Sequence, residues 1–382
     1  MKVGLVGFGG AGKTTIFNAL TGLEAQIANH RGKDHANLGA IKVPDSRVDR
    51  LAEIYHRKRK VYAEISFVDV AGPSLLDQGR HAQASSALSA ELVHQMRDAD
   101  ALVHVVRGFE HVIDGSPPRP AADITAFEAE LILNDLVMVE TRLGRIGREK
   151  TANPQEREAL EACQHQLAAE RPLRTLPLSP QAWGLVYGFR FMSQKPMLIL
   201  LNLAEKALRE GIPKETLETT GRHSLEVLAL AGKAEMEIAQ LAPEEQKAFL
   251  EDLGIAEPAR DRFIRAAHRL LDLISFLTIG EEECRAWPIK RGTTALKAAG
   301  RVHSDMERGF IRAEVVPYDD LVSLGSEAKA REAGKWRLEG KDYIVRDGEI
   351  RRIQEESHAT VLVFRSRSLG LQHQGKATLH HP

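Results

Sequence analysis

The chain has few cysteines, few aromatic residues, no excess of charge of either sign and no long hydrophobic run. Its 382 residues include only 2 cysteines, Cys163 and Cys284, which lie too far apart for a zinc cluster and indicate reduced thiols. The 52 basic and 53 acidic residues exclude a globally basic nucleic-acid-binding protein, although a local basic patch remains compatible. Apolar stretches such as 196–201 are far shorter than the ~20 residues of a membrane span, and no leader precedes the first strand. We therefore expect a soluble cytoplasmic protein without a membrane partner.

Short apolar runs alternate with helix-like segments in the first two hundred residues. They predict buried strands at 3–6, 63–69, 101–106 and 197–202. Buried strands that are separated by helices are typical of parallel sheets, so the predicted fold class is α/β. The 88 residues at 108–195 are far more than a simple crossover connection requires.

Two segments within that long connection, 124–145 and 153–170, are rich in alanine, leucine, glutamate and arginine. They predict two long helices that form an antiparallel hairpin inserted into the sheet domain. Near the C-terminus, helical residues at 257–278 are followed by a β-rich region with frequent glycines. There, 343–345 and 349–353 predict a hairpin around the turn Asp347-Gly348.

The most specific motif matches the pattern G-x-x-x-x-G-K-[ST] of phosphate-binding loops. Its residues, with the threonine that follows, are Gly7, Phe8, Gly9, Gly10, Ala11, Gly12, Lys13, Thr14 and Thr15. In such a loop, backbone N–H groups cradle the phosphates, the lysine reaches the β- and γ-phosphates, and the threonine hydroxyl binds Mg²⁺. A glycine-rich turn with a coincidental lysine is the alternative, which the preceding strand and the following helix disfavour.

A D-x-x-G sequence, from Asp69 to Gly72, ends the second predicted strand. Asp69 is a candidate Mg²⁺ ligand together with Thr14, and the Gly72 N–H is a candidate sensor of the γ-phosphate. A strand-terminal aspartate is more often a turn residue, so this assignment depends on its order after the phosphate loop. Lys13, Thr14, Asp69 and Gly72 are thus the candidate catalytic residues.

A candidate base-binding sequence, Asn202-Leu203-Ala204-Glu205, follows the fourth predicted strand. Guanine-specific enzymes have N-K-x-D at this place, so Leu203 and Glu205 depart from the pattern and adenine becomes a candidate base. Alternatively, Asn202 is the N-cap of a helix. Ala231 and Gly232 lie where a fifth loop would close over the base.

With these motifs in order, the chain resembles the YchF subfamily of Obg-like P-loop NTPases, over about residues 1–353. The residues that carry the resemblance are 285–287, 290–295, 298–300, 303–305, 307–315 and 339–348, with 43–47 and 109–110. The resemblance implies a G domain at 1–278 with a helical insertion at about 120–195 and a β-grasp TGS domain at 279–353. The tail at 354–382, with its serine, glycine, glutamine and histidine residues, is expected to be partly disordered. The resemblance also implies slow hydrolysis of ATP, GTP or both with Mg²⁺, and association with the large ribosomal subunit or RNA, by what we expect to be a monomer.

Several residues depart from the family pattern. Gly10 replaces an asparagine of the phosphate loop, and Lys33 stands where a threonine is usual. Pro73 stands where many GTPases have a catalytic glutamine, although the family itself has a hydrophobic residue there. We expect nucleotide binding to survive and hydrolysis to be slower, by factors of ~10²–10³ for a lost positioned group. His35 and His81 are loop candidates for a base, and each is more simply a solvated histidine.

Basic side chains in the last domain form a candidate phosphate-binding face, for which an ordinary solvated surface is the alternative. They are Arg285, Lys290, Arg291, Lys341, Arg346, Arg351 and Arg352. Two hypotheses remain open at this point. The first is a slow NTPase whose nucleotide state controls ribosome or RNA association, and the second is a nucleotide-gated binding module with negligible hydrolysis.

Overall fold

The structure is a computed structural model that describes residues 1–22, 37–69, 90–111, 115–148, 153–253 and 257–355. The chain divides into two compact units. The first contains Met1–Pro44 and Ala63–Ile274, and the second contains Asp45–Tyr62 and the chain from Ser275 onward. Among the described residues, every helix is too short or too polar to cross a membrane.

Strands and helices are numbered along the chain. The strands are β1 (Lys2–Val6), β2 (Asn37–Val43), β3 (Arg59–Val61), β4 (Ala63–Asp69), β5 (Ala101–Gly108), β6 (Met197–Leu203), β7 (Glu226–Leu230), β8 (Leu273–Ile279), β9 (Glu283–Lys290), β10 (Phe310–Pro317), β11 (Arg337–Glu339) and β12 (Glu349–Glu355). The α-helices are α1 (Lys13–Thr21), α2 (Ser46–Ile54), α3 (Ala90–Asp98), α4 (Pro120–Ile146), α5 (Pro154–Ala168), α6 (Pro180–Val186), α7 (Glu205–Leu208), α8 (Lys214–Arg222), α9 (Gly232–Ile238), α10 (Pro243–Leu253), α11 (Ala259–Leu270), α12 (Ala295–Val302), α13 (Ser304–Arg308), α14 (Tyr318–Leu324) and α15 (Glu327–Glu332).

The sheet of the first unit has the strand order β2-β4-β1-β5-β6-β7. Only the β2–β4 pair in this described sheet is antiparallel, and the other pairs are parallel. The four strands predicted from sequence are confirmed as β1, β4, β5 and β6. All seven residues of β6 are buried, as expected for a parallel strand that is covered on both faces.

Helices cover both faces of this sheet. On one face, Phe17 of α1 and Phe263 of α11 pack into a single core cluster with strand residues. On the other face, Met96 of α3 and Phe127 of α4 pack into a second cluster. Since parallel strands have their carboxyl ends at one edge, β1, β4, β5 and β6 end at the same edge of the sheet.

The two long helices predicted within the 108–195 connection are confirmed as α4 and α5, which pack against each other. Asn153 caps α5 by accepting a hydrogen bond from the Gln155 N–H at 2.9 Å, and Pro154 occupies its first turn. Arg142 and Glu156 form an ion pair at 2.9 Å between the helices. The helical insertion thus has its own apolar core and belongs to the first unit.

The sheet of the second unit has the order β11-β10-β12-β8-β9-β3. The predicted hairpin between 343–345 and 349–353 is wrong, because β12 pairs with β10 and β8. Asp347 and Gly348 instead direct the chain alongside β8. The Asp347 carboxylate accepts a hydrogen bond from the Ser275 N–H at 2.8 Å, and the Gly348 N–H donates to the Ser275 carbonyl oxygen at 2.9 Å. The predicted helix to residue 278 is also wrong beyond Leu270, because the run of 273–279 forms strand β8.

Residues Asp45–Tyr62 fold with the second unit, although the sequence analysis placed them within 1–278. Arg47 at the start of α2 pairs with Asp45 at 2.8 Å and with Asp347 at 2.9 Å. These two carboxylates raise the pKa of the Arg47 guanidinium. Strand β3 then adds to the sheet by parallel pairing with β9. The predicted tail at 354–382 lies outside the described residues from 356 onward.

Candidate nucleotide site

The candidate site occupies the edge of the first sheet where β1, β4, β5 and β6 end. The backbone register places Leu5 of β1 beside Asp69 of β4, and Arg107 of β5 beside Asn202 of β6. Because the strands are adjacent and parallel, their terminal residues form one row. The loop at 7–12 leaves this row from β1 and leads directly into α1.

Glycines in the loop at 7–12 allow close approach of backbone and neighbouring groups. Gly7 has φ of 139°, and a Cβ there would lie 2.4 Å from the Val105 carbonyl oxygen. Gly12 has φ of 86°, and a Cβ there would lie 2.4 Å from Asn202 Nδ2. Both positions are therefore restricted to glycine by the backbone angle and by a neighbouring group. Gly9, Gly10 and Thr15, also predicted to contact a nucleotide, lie in the same loop and in the first turn of α1.

The Lys13 ammonium lies folded back over the loop. Nζ donates hydrogen bonds to the carbonyl oxygens of Gly7 and Phe8, both at 3.0 Å. Lys13 is only 9% exposed, and burial lowers the pKa of its ammonium to about 8 against the opposing effect of Asp69. A buried cation that is held mainly by neutral carbonyls favours an incoming anion.

Thr14 and Asp69 come together as the sequence predicted. Thr14 Oγ1 donates a hydrogen bond to Asp69 Oδ2 at 2.8 Å, and Asp69 is buried at the end of β4. The pair places one hydroxyl and one carboxylate beside the start of α1. Oxygen ligands of this kind are those that Mg²⁺ uses in proteins. In the described ranges, there is no group of three or more histidine, cysteine, aspartate or glutamate side chains that could hold a metal.

Asn202 connects three segments of the site through its side-chain amide. Nδ2 donates to the Ala11 carbonyl oxygen at 3.0 Å, and Oδ1 accepts from the Gly232 N–H at 3.0 Å. Asn202 is not a helix N-cap, since α7 begins at Glu205 with Ala204 as its cap. The amide thus links the phosphate loop to the end of β6 and to the start of α9.

The other residues predicted to contact a base lie around Asn202 with different exposure. Leu203 and Ala231 are buried, as is Gly232, whereas Glu205 is exposed at the first position of α7. An exposed carboxylate beside the edge of the site remains available to a ligand. The predicted Gly72 lies outside the described residues, as do Lys33, His35, Pro73 and His81.

Sequence reasoning missed two side chains that follow β5. Phe109 Cζ lies 4.0 Å from the position that a Cβ on Gly12 would take, and His111 Nε2 lies 2.7 Å from that of a Cβ on Gly10. Phe109 contributed only to the family resemblance, and the single histidine carried no motif of its own. Chain spacing alone gave no signal that this segment returns to the phosphate loop.

An aromatic cluster supports the loop from beneath. Phe8 packs edge-on against His104 and Phe127, and the rings of His104 and Phe127 stack at 4.1 Å. His104 is fully buried, and neither ring nitrogen has a hydrogen-bond partner in the described part of the chain. Burial, with a smaller effect of Lys13, lowers the pKa of His104 to about 3, so the ring is neutral and acts as an apolar contact.

Family models match both ends of the chain. A model described as a 50S ribosome-binding GTPase matches residues 2–138. A second model, named YchF-GTPase_C and described as a protein of unknown function, matches residues 273–355. The two matched ranges contain, respectively, the phosphate loop and most of the second unit.

Relatives match nearly the whole chain. The chain is 37% identical over 366 residues to the ribosome-binding ATPase YchF of Bacillus subtilis, covering 92% of this chain and 98% of that protein. It is 38% identical over 360 residues to the ribosome-binding ATPase YchF of Haemophilus ducreyi, covering 91% and 97%. The solved structure of the Schizosaccharomyces pombe YchF GTPase superposes with a TM-score of 0.78 at 25% identity, covering 93% of this chain and 97% of that one.

Removal of the Asn202 amide is expected to destabilise the first unit. Asn202→Ala leaves the buried Ala11 carbonyl and Gly232 N–H without this partner, which should lower the free energy of unfolding by about 2–4 kcal/mol. Urea unfolding measures the loss. Asn134→Ala is the matched control, because Asn134 donates a single bond at 2.9 Å to Glu130 on a half-buried helix position. Equal losses in the two variants would contradict the linking role of Asn202.

Proposed function

The chain belongs to the YchF family, and on this premise we propose that it is a P-loop NTPase that binds ATP or GTP and hydrolyses the bond between the β- and γ-phosphates. The observation that carries the proposal is the arrangement of Lys13, Thr14 and Asp69 around one glycine loop. A buried ammonium, a paired hydroxyl and carboxylate, and a helix N-terminus converge there. Each is a group that phosphoryl transfer requires.

Lys13 is the proposed phosphate-binding cation of the loop. In the proposed complex, its ammonium exchanges the carbonyl oxygens of Gly7 and Phe8 for oxygens of the β- and γ-phosphates. The charge-assisted bonds to phosphate are stronger than those to neutral carbonyls. The N–H groups of the first turn of α1 supply further donors, because the first N–H groups of a helix lack intrahelical partners. We assign these contacts to residues 7–15.

Magnesium is the metal that the donor set fits. Thr14 Oγ1 and the Asp69 carboxylate are hard oxygen donors in hydrogen-bond contact at 2.8 Å. Mg²⁺ is usually bound by one or two such groups together with substrate phosphates and water, so this small set is sufficient. When bound, the ion neutralises charge that develops on the phosphates. Thr14 and Asp69 would hold it, and their mutual hydrogen bond already orients both oxygens.

We propose that adenine is the preferred base. The candidate base-binding sequence has a buried leucine at Leu203 and an exposed carboxylate at Glu205, in place of the N-K-x-D pattern that selects guanine. The curated relatives named above are ATPases. Asn202, with its amide bonded to Ala11 and Gly232, supports the loops around the base rather than acting through a free side chain.

Calorimetric titration with non-hydrolysable ATP and GTP analogues and Mg²⁺ tests this proposal. We expect wild-type protein to bind the adenine analogue more tightly, and Lys13→Ala to weaken binding by about 10- to 100-fold, since a charge-assisted bond is lost. Single-turnover hydrolysis with and without ribosomes, against the Lys13→Ala background, then measures phosphate release.

The outcomes of that experiment separate the alternatives. A preference for the guanine analogue would mean that Glu205 performs the role of the usual aspartate. Phosphate release no faster than from Lys13→Ala would leave a nucleotide-gated binding module without hydrolysis. Binding that is absent, or that does not depend on Lys13, would overturn the assignment of the site.

Nucleotide affinity is expected to fall as the pH rises above about 8. The free protein loses the Lys13 proton with a pKa of about 8, whereas bound phosphate favours the charged ammonium, so binding above this pH takes up a proton. Between about pH 8 and 9.5 the dissociation constant should rise toward ~10-fold per pH unit. Calorimetry in two buffers of different ionisation enthalpy measures the proton uptake. Lys13→Arg is the control, because its guanidinium does not titrate in this range. A dissociation constant of the wild type that stays constant over the same range would contradict this assignment.

We further propose that the nucleotide state controls association with the ribosome, through a large-subunit or RNA contact of the second unit. This unit contains the predicted TGS domain at 279–353, joined by Asp45–Tyr62. The prediction that Arg351 lies on this surface is wrong, because the residue is only 4% exposed and its guanidinium lies 5.6 Å from the centre of the Phe276 ring and 5.8 Å from that of Tyr343. The side chain of Arg352 lies outside the described residues.

We propose that the protein acts in the cytoplasm as a monomer.

Other basic residues of the predicted phosphate-binding face are exposed, and we propose that they contact the ribosome. They are Lys290, Arg291, Lys341 and Arg346. Reversal of two neighbouring charges by Lys290→Glu and Arg291→Glu is expected to reduce co-sedimentation with ribosomes severalfold and to lower its salt dependence, since each phosphate contact contributes to counterion release. Reversal of exposed charges on helices α12 and α15, by Arg301→Glu and Lys329→Glu, controls for net charge. Equal effects of the two pairs of substitutions on co-sedimentation would contradict the proposal that Lys290 and Arg291 contact the ribosome.

A further inference from the structure

Arg107, the residue before the last of β5, binds the backbone of the segment that follows it. Nη1 donates to the carbonyl oxygens of Phe109 and Ser116 at 2.8 and 2.9 Å. Nη2 lies 3.3 Å from the Pro117 carbonyl oxygen and 3.4 Å from Ser116 Oγ. The guanidinium is half-buried, and it connects Phe109 with Ser116 and Pro117 through their carbonyl oxygens.

Backbone hydrogen bonds also connect His111 with Gly115 and Ser116. The His111 N–H donates to the Ser116 carbonyl oxygen at 2.9 Å, and the His111 carbonyl oxygen accepts from the Gly115 N–H at 2.8 Å. The Ser116 carbonyl therefore accepts from both Arg107 and His111. Because Arg107 binds this shared acceptor, the backbone position of His111 depends on a guanidinium at the end of β5, the strand next to β1.

Two side chains of this segment reach the phosphate loop. The Phe109 ring lies against Gly12, and the His111 imidazole lies over Gly10. The absence of a side chain at Gly10 is what admits the imidazole, since a Cβ there would lie 2.7 Å from Nε2. The segment thus lies next to the phosphate loop through these two side chains, and Arg107 binds its backbone.

We propose that Arg107 is a positioning residue for the nucleotide site, which acts by holding Phe109 and His111 against the phosphate loop. This inference rests on the function proposed above. Arg107 lies in β5 in register with Asn202 of β6, whose amide donates to the Ala11 carbonyl of the loop. The adjacent ends of β5 and β6 thus both contribute to the position of the phosphate loop, one through a guanidinium and the other through an amide.

The geometry requires a planar group with several donors. Arg107 reaches acceptors on Phe109, Ser116 and Pro117 through both terminal nitrogens. A lysine ammonium at this position has a single nitrogen and a different reach, so it can satisfy only part of this set. Arg107→Lys should consequently restore part of the effect of Arg107→Met, in proportion to the bonds it keeps.

A double-mutant cycle of Arg107→Met and His111→Ala on the full-length protein tests the proposal. The readouts are the dissociation constant of a non-hydrolysable ATP analogue with Mg²⁺ and the single-turnover rate of ATP hydrolysis. Arg107→Met should weaken binding or slow hydrolysis about tenfold, corresponding to the loss of charge-assisted bonds, with Arg107→Lys intermediate. Because Arg107 acts through the segment that carries His111, its effect in the His111→Ala background should shrink to about threefold or less.

Arg119→Met is the matched control, since Arg119 is an exposed arginine at the N-cap position of α4, close to the same segment. We expect it to change both readouts less than about twofold. Two outcomes would overturn the inference: equal effects of Arg107→Met and Arg119→Met, or effects of Arg107→Met and His111→Ala that simply multiply. If wild-type protein binds no nucleotide, or binds it independently of Lys13, the proposed function fails as well, so the two failures are distinguishable.

Discussion

The candidate site depends on the hydrogen bonds of the Asn202 side-chain amide. This amide is buried at the end of β6, and its two hydrogen bonds hold the Ala11 carbonyl on one side and the Gly232 N–H on the other. The amide also restricts positions 12 and 232 to glycine. A Cβ on Gly12 would lie 2.4 Å from Asn202 Nδ2, and a Cβ on Gly232 would lie 2.9 Å from Asn202 Oδ1. A neutral side chain that both donates and accepts can make these contacts in a buried place without the cost of burying a charge.

The phosphate loop that this amide holds contains a charge that burial disfavours. Lys13 is charged at neutral pH in spite of a lowered pKa, and in this structure its partners are carbonyl oxygens of its own loop. Next to the loop, the neutral ring of His104 packs with the rings of Phe8 and Phe127, and neither of its nitrogens has a hydrogen-bond partner in the described part of the chain. The proposed phosphate binding would add charge-assisted bonds to the Lys13 ammonium.

The path of the chain connects the two parts of the proposed switch. Strand β2 ends in the first unit, Asp45–Tyr62 fold with the second, and β4 then returns to end at Asp69. The ion pairs of Arg47 and the pairing of β3 with β9 anchor the intervening residues within the second unit. Asp69, which is proposed to hold the metal, therefore lies at the end of β4, and the residues directly before β4 belong to the second unit, which is proposed to contact the ribosome.

The sequence by itself determined the elements whose signals are local. Continuous apolar runs identified four central strands, alanine- and glutamate-rich segments identified α4 and α5, and the loop motif identified Lys13 and Thr14, because each pattern depends on neighbouring residues alone. Only the tertiary structure decided which strand would pair with β12, that Arg351 would be buried, that Asp45–Tyr62 would join the second unit, and that Phe109 and His111 would return to the loop. These outcomes depend on contacts between residues distant in the chain, where several partners satisfy the same local pattern and packing selects one.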